Sequence, residues 1–375
     1  MSEIPSETAE APFVQTDFEQ ITTLVSTEFQ IEEALLEHNI PTYYLKQPQE
    51  TKHAFLRLLK KLKEMNFIAI LRRQDGKIVL KIIPKPPTKP SNILINWLLF
   101  FATIGTTFVT GYLLSVDLID PIIGGATFTI AIMAVFGTHE MGHKLTADKN
   151  GIEATPPYFI PGPPPMFGGF GTFGAVIFQK SLPPNKDVLF DIGASGPILG
   201  FVIATIVTAV GVTMAILPAV PPSPGEYTTL PMPLLTILIT ELLLNFRMIP
   251  SYRQGQLLFM HPVELAGWVG MLVTMLNLLP AAMLDGGHVA RSLAGEKTRT
   301  VLMVLSMVLL VLSKFYLMAV LVLFMGMQRH PGPLDDVSSL STNRKLLTIL
   351  LVNCMKCLHF LTSQKMHHSK YHCYL

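Results

Sequence analysis

The chain has 375 residues, 50% of them hydrophobic and 14% charged, with a formal net charge of +2; a soluble domain carries roughly 25% charged residues. So low a charge content excludes an ordinary soluble protein and indicates an integral membrane one. The net charge says little by itself, and no nucleic acid partner is expected. All three cysteines, Cys354, Cys357 and Cys373, fall near the C-terminus, so no disulfide framework organises the fold.

In chain order, the first segment is acidic. Residues 1–40 hold nine Asp or Glu and no Lys or Arg, whereas residues 46–89 hold twelve Lys or Arg. Residues 1–27 read as a disordered acidic N-terminus, with neither a secretory signal nor a transit peptide. From about Glu28 to Pro90 the pattern is that of a small α+β domain. "HAFLRLLKKLKEMN" has helical spacing, with Phe55, Leu58, Leu59 and Leu62 on one face. The two apolar runs around Asp75-Gly76 then predict a hairpin, and "PKPPTKPS" makes a stiff linker.

Uncharged runs long enough to cross a bilayer, about 20 residues, occur at Ile93–Val116, Pro121–Thr138, Ile192–Pro218 and Leu265–Leu284. A fifth run, Val301–Met327, carries Lys314 at its middle and is either one span around that lysine or two short pieces; one span is the favoured reading. Pro231–Phe246 is short, contains Glu241 and reads as an interfacial or re-entrant helix. Leu346–Thr362 holds a short apolar run that could form a last helix before the tail. The basic stretch before the first span predicts a cytoplasmic N-terminus; Asp117 and Asp120 fit the far side, and Lys144 and Lys149 follow the second span back. With no transit peptide visible, a prokaryotic plasma membrane is expected. The domains expected are thus 1–27, 28–90, a membrane domain over 91–330, and a C-terminal segment over 331–375.

Between the second and third runs, "PPYFIPGPPPMFGGFGTFGAVIFQK" (Pro156 to Lys180) has too many prolines and glycines for a continuous helix and is too apolar for a free loop. Non-helical backbone at membrane depth survives only when buried in protein or lining a cavity. A membrane-dipping β-hairpin with an open strand edge satisfies that condition.

His139-Glu140-Met141-Gly142-His143 ends the second run. On a helix, positions i and i+4 share a face, so both imidazoles can reach one Zn²⁺ while Glu140 takes a proton from the attacking water. Ionisable residues in or at the end of a span default to function. A catalytic zinc needs a third protein ligand and an open position. Asp285, at the end of the fourth run in "TMLNLLPAAMLDGGHVAR", supplies the ligand if Pro280 and Gly286-Gly287 unwind the helix around it. Asn277 is either an amide donor for the oxyanion or a hydrogen-bonding link between helices. His288 as a fourth ligand would close the site, so it is assigned to packing or to support of the ligands. His261 has no partner motif. "DIGASGPILG" (Asp191 to Gly200) places small residues for close helix packing beside the site. In the tail, Cys354 and Cys357 with His359, His367, His368 and His372 lack a second well-spaced pair and read as weakly structured.

These residues together resemble the site-2 protease family of intramembrane zinc metalloproteases. The likeness rests on the HEMGH segment, the Gly/Pro/Phe-rich stretch after it, Gly196-Pro197, and Asn277 to Pro280 leading to Leu284-Asp285-Gly286, and it covers about residues 121–327. The closer resemblance is to the branch with plastid and prokaryotic members. It implies a polytopic α-helical membrane protein with a metalloprotease core of transmembrane helices. It further implies hydrolysis of peptide bonds within or near transmembrane segments of single-span substrates in the lipid bilayer, with one zinc on His139, His143 and Asp285. Glu140 would be the base, Asn277 would steady substrate or oxyanion, and the hairpin would add a strand to a locally unwound substrate. No insert long enough for a PDZ domain separates the two motifs. A homo-oligomer is compatible with the sequence.

Two other classes were weighed. A metal transporter should carry metal-binding residues on adjacent spans, yet the first and third spans have no histidine and Asp191 as their one acid. A catalytically inactive protease-like scaffold fits poorly with four intact residues at His139, Glu140, His143 and Asp285.

Overall fold

The computed structural model describes residues 15–361 and 373–374, except 89, 117, 217–229, 250–257, 282, 295, 314–315, 327–330 and 358–359. Asp117, Lys314, His359 and the three later tail histidines lie outside the described residues. The chain divides into two units.

The first unit is built on a four-stranded antiparallel sheet in the order β1-β2-β4-β3, with β1 Ile31–Glu37, β2 Ile40–Leu45, β3 Phe67–Gln74 and β4 Lys77–Pro84. The β3-β4 turn is the one anticipated at Asp75-Gly76, both of which have positive φ, as a two-residue hairpin with right-handed strand twist requires. Helix α2 (Lys52–Glu64) buries Ala54, Phe55, Leu58 and Leu62 in a core with Tyr43, Leu71, Leu80 and Ile82.

The N-terminus differs from the expectation of disorder over residues 1–27: Gln15–Ser26 is a helix, α1. Phe18, Ile21 and Val25 fall at i, i+3 and i+7, and the last two are fully buried in this core; the acidic composition conceals that stripe. Nor does the 331–375 segment form one piece. Residues 332–340 belong to the first unit, with Leu334 in its core and Leu71 N–H bonded to the Leu334 carbonyl at 2.9 Å.

In this unit Glu28 accepts hydrogen bonds from Arg57 (2.7 Å) and Lys61 (2.8 Å), and these two cations hold its carboxyl below the ordinary value of 4.5. A lowered folded pKa gives stability that is present above 4.5 and lost as pH falls through the folded value. Glu28→Gln should therefore weaken protection of the α2 amides by roughly 0.5–1 kcal/mol at pH 7, because the cations are substantially exposed. That gap should close on acidification. Hydrogen exchange against pH measures it, and a gap that persists unchanged into acid would remove the ion pairs as its cause.

Among the described residues, three helices are long and apolar enough to cross a membrane: α3 Ile93–Ser115, α4 Pro121–Lys149 and α5 Lys186–Thr213. Each of the first two starts at a side-chain cap. Asn92 accepts from the amides of Leu94 and Ile95, and Asp120 from those of Ile122 and Ile123; such caps satisfy amides that have no partner within the helix. At 1.5 Å per residue, α4 is about 43 Å long, more than the roughly 30 Å of bilayer hydrocarbon. His139, eighteen residues in, thus lies about 27 Å from its start.

The other predicted runs are shorter as helices. They are α6 Leu234–Asn245, α7 Pro262–Asn277, α8 Asp285–Leu293, α9 Glu296–Leu312, α10 Tyr316–Gly326 and α11 Thr342–Cys357. Helix α7 stops at Asn277 and α8 begins at Asp285, so the chain breaks where Pro280 and the Gly286-Gly287 pair predict. The single span expected at Val301–Met327 is instead α9 and α10, with a turn at Ser313. The run around it is apolar and has no Pro or Gly to mark the break.

Between α4 and α5 the proline-rich segment does form a hairpin, β5 (Tyr158–Pro161) and β6 (Thr172–Val176), paired antiparallel. Helix α3 pins it: Asn96 donates to the Pro157 carbonyl and Thr106 Oγ1 to the Gly171 carbonyl at 2.6 Å, and the Phe100 and Phe159 rings meet edge-to-face at 5.4 Å. Among the described residues β6 pairs with β5 alone.

Candidate metal centre

Helix α4 places His139 and His143 one turn apart, with ring centres 5.0 Å apart. Both are buried, as is Glu140. The break before α8 brings Asp285 to them: its Oδ2 lies 3.1 Å from His139 Nε2, its Oδ1 3.2 Å from His143 Nε2, and the two Nε2 atoms are 3.2 Å apart. Three donors bound to one zinc at about 2.0–2.1 Å in tetrahedral array would stand about 3.3 Å apart. The separation of the two Nε2 atoms matches that edge, each imidazole has one Asp285 oxygen at a similar distance, and two imidazoles with one carboxylate leave the fourth position free. The donor set therefore fits zinc. Glu140 Oε1 is 4.0 Å from His139 Nε2, beside the ligands.

The third helix aligns the ligands. The Ile192 carbonyl on α5 accepts from His143 Nδ1 at 2.7 Å, which leaves the Nε2 lone pair for the metal; support of this kind fixes both tautomer and ring orientation. Three glycines on the same face of α5 let the ligands approach. A Cβ on Gly196 would run into the His143 ring, one on Gly200 would lie 2.8 Å from His139 Nδ1, and one on Gly193 would lie 2.8 Å from the Asp285 carbonyl. The small residues of "DIGASGPILG" are thus the surface on which the metal site is packed. The carbonyl of Ile192 is a functional group that sequence reasoning missed, since a backbone oxygen has no side-chain signature.

Of the other expected residues, Asn277 closes α7 and is half-buried; no hydrogen bond joins it to the ligands. His288 packs against α5 at Gly193. His261 caps α7, its Nδ1 accepting from Val263 N–H at 3.1 Å, which accounts for it without a ligand role.

An apolar groove of about 480 Å³ runs along α4 beside the site, lined by Trp97, Phe100, Met133, Thr138, Met141 and Phe159. On the hairpin side, the backbone amide of Ile177, just past β6, faces Glu140.

Residues 127–320 match Peptidase family M50, the site-2 proteases. The chain belongs to this family. The M50 match takes in all four clustered residues. Among M50 relatives, the protein named "Probable zinc metalloprotease EGY2, chloroplastic" of Arabidopsis thaliana is 26% identical over 311 residues, 76% of this chain and 53% of that protein. "Probable zinc metalloprotease EGY1, chloroplastic" of Oryza sativa subsp. japonica is 30% identical over 172 residues, 44% of this chain and 27% of its own length. The chain spans about half the length of the first relatives it matches. No solved structure matches it. The resemblance to the plastid branch is thus upheld.

Proposed function

We propose that the protein is a zinc-dependent intramembrane endopeptidase, cutting single-span membrane proteins within or near their transmembrane segments in regulated intramembrane proteolysis. The observation that carries this reading is the set of 3.1–3.2 Å separations among His139, His143 and Asp285 with Glu140 alongside, borne on helices suited to a bilayer.

In this reading His139, His143 and Asp285 hold the zinc, which supplies Lewis acidity toward water and a peptide carbonyl. Glu140 takes the proton from the attacking water as its oxygen bonds to the carbonyl carbon. Glu140 then returns that proton to the amide nitrogen as the C–N bond breaks, leaving a carboxyl and an amine. Asn277, at the end of the helix just before the Asp285 break, donates to the oxyanion. His143 is kept in place throughout by the Ile192 carbonyl.

A transmembrane helix cannot be cut while its amides are sealed within it. The edge of β6 away from β5 offers replacement hydrogen bonds to a substrate stretch that unwinds, by strand addition, and Ile177 places that edge beside Glu140. The hairpin then lies at membrane depth, and the apolar groove suits the still-helical part of the substrate. On the charge pattern of residues 46–89 the N-terminal unit is cytoplasmic. The sequence reading favours a prokaryotic plasma membrane, whereas the relatives are named chloroplastic; fractionation of the source cells decides between them.

The test is cleavage of a panel of single-span proteins by the full chain in lipid. Cleavage within the spans that stops on zinc chelation and returns with one equivalent of zinc is expected. A zinc-loaded protein that cuts none of the panel would sink the reading.

A further inference from the structure

Outside the residues that match the family, α11 is tied to the site helix by one side chain. Arg344, in the first turn of α11, grips Asp191 with a two-pronged contact, Nε to Oδ1 at 2.7 Å and Nη2 to Oδ2 at 2.6 Å. Its Nη1 reaches Asp187 Oδ2 at 2.9 Å and Ser341 Oγ at 2.9 Å. Asp187 Oδ1 in turn accepts the Ser341 amide at 3.0 Å, just before α11 begins. Asp187 and Asp191 stand one turn apart at the start of α5, and the residue after Asp191 is Ile192, whose carbonyl holds His143.

Two physical facts give this arrangement a consequence. Apolar packing between helices in lipid has little directionality, so the close glycine contacts of α5 gain from a directional link that sets its rotation and axial position. A sliding step of one residue is about 1.5 Å, enough to break the 2.7 Å bond to His143 and to bring the backbone of α5 against the ligand rings where Gly196 and Gly200 now make room. A guanidinium fork on a carboxylate, by contrast, is directional as well as strong. The Arg344 contacts lie at the end of α5 nearest Ile192, where they set both its rotation and its axial position.

We propose that Arg344 is a positioning residue for the metal site: by clamping Asp187 and Asp191 it fixes the register of α5, and through the Ile192 carbonyl and the glycine face it holds His143 and His139 in ligand geometry. This rests on the zinc reading above. It gives the C-terminal segment a defined part in a site to which it contributes no ligand.

The experiment uses the full chain in lipid, with Co²⁺ in place of zinc, and compares wild type with Arg344→Ala, Arg344→Lys, Asp191→Asn and the double variant Arg344→Ala/Asp191→Asn. Metal affinity is read by chelator competition, and ligand geometry by the visible ligand-field bands of Co²⁺. Each single variant should bind metal roughly three- to tenfold more weakly, at or below the range for loss of a group supporting a ligand, with altered bands. Arg344→Lys keeps the charge without the fork and should recover part of the affinity lost in Arg344→Ala. The double variant should be no worse than the worse single one, because both remove one link.

Variants that fold and show wild-type affinity and bands would overturn the proposal even if their melting temperature falls, since α11 would then be only a structural clasp. Should Arg344→Ala fail to fold, Arg344→Lys decides by the same two readouts. A wild-type chain that binds no metal removes the zinc reading and this inference together, whereas wild type and variants binding alike removes this inference alone.

Discussion

Glu140→Gln is expected to reduce cleavage by about 10²- to 10⁴-fold, the usual contribution of a positioned general acid–base group, while leaving the bound zinc at one equivalent. The amide is nearly the same size as the carboxyl and keeps an oxygen to accept from the Ile177 amide, so packing at this buried position changes little. What it loses is the capacity to take up a proton. Since Asp285 already reaches both imidazoles with its two carboxylate oxygens, without Glu140, metal affinity should move by little. The measurement pairs single-turnover cleavage in lipid with zinc content on the same preparation. Loss of zinc together with activity would instead make Glu140 a fourth ligand and would require another base. Retained zinc with undiminished cleavage would remove Glu140 from the mechanism.

The clustering of His139, Glu140 and His143 was legible in the sequence, because it follows from local spacing. Helical periodicity alone puts His139 and His143 on one face with Glu140 next to them. Asp285 was legible for a different reason: a carboxylate at the end of an apolar run, next to Pro280 and two glycines, has a cost in lipid that a metal offsets and a backbone able to turn it. The Asp75-Gly76 hairpin and the β5-β6 hairpin were legible from turn residues, which act over a few positions.

What escaped the sequence acts over long separations or through the backbone. Among its described residues helix α1 has only two fully buried apolar positions, Ile21 and Val25, set in an acidic stretch, and its partners Tyr43 and Phe55 lie tens of residues away. The division of α9 from α10 occurs inside an apolar run without Pro or Gly. Arg344 meets Asp187 and Asp191 across more than 150 residues, and no periodicity links them. The Ile192 carbonyl belongs to a residue whose side chain reads simply as apolar. In each case the missing term is a tertiary contact, and the site depends on two of them.

Gly196→Ala tests how closely the α5 face fits the ligands. The added methyl would lie 2.0 Å from His143 Nε2, and α5 cannot yield easily there, because Gly142 of α4 already lies so close that a Cβ on it would be 2.7 Å from the Ser195 carbonyl. Overpacking of this kind costs typically about 1–3 kcal/mol. The cheapest relief is for the imidazole to swing off the Ile192 carbonyl and away from Asp285. Zinc affinity should therefore fall by about 10- to 100-fold, as when a ligand loses its supporting partner, and cleavage should fall with it at limiting zinc. Gly105→Ala on α3 is the matched control: it is the same change in a membrane helix, at an exposed position with open space around the new methyl, and a helical alanine there should be neutral or stabilising by up to about 1 kcal/mol. Chelator competition on both variants gives the comparison. If the two bind zinc alike, the His143 ring has room that these separations deny it, and α5 is a neighbour of the site rather than its template.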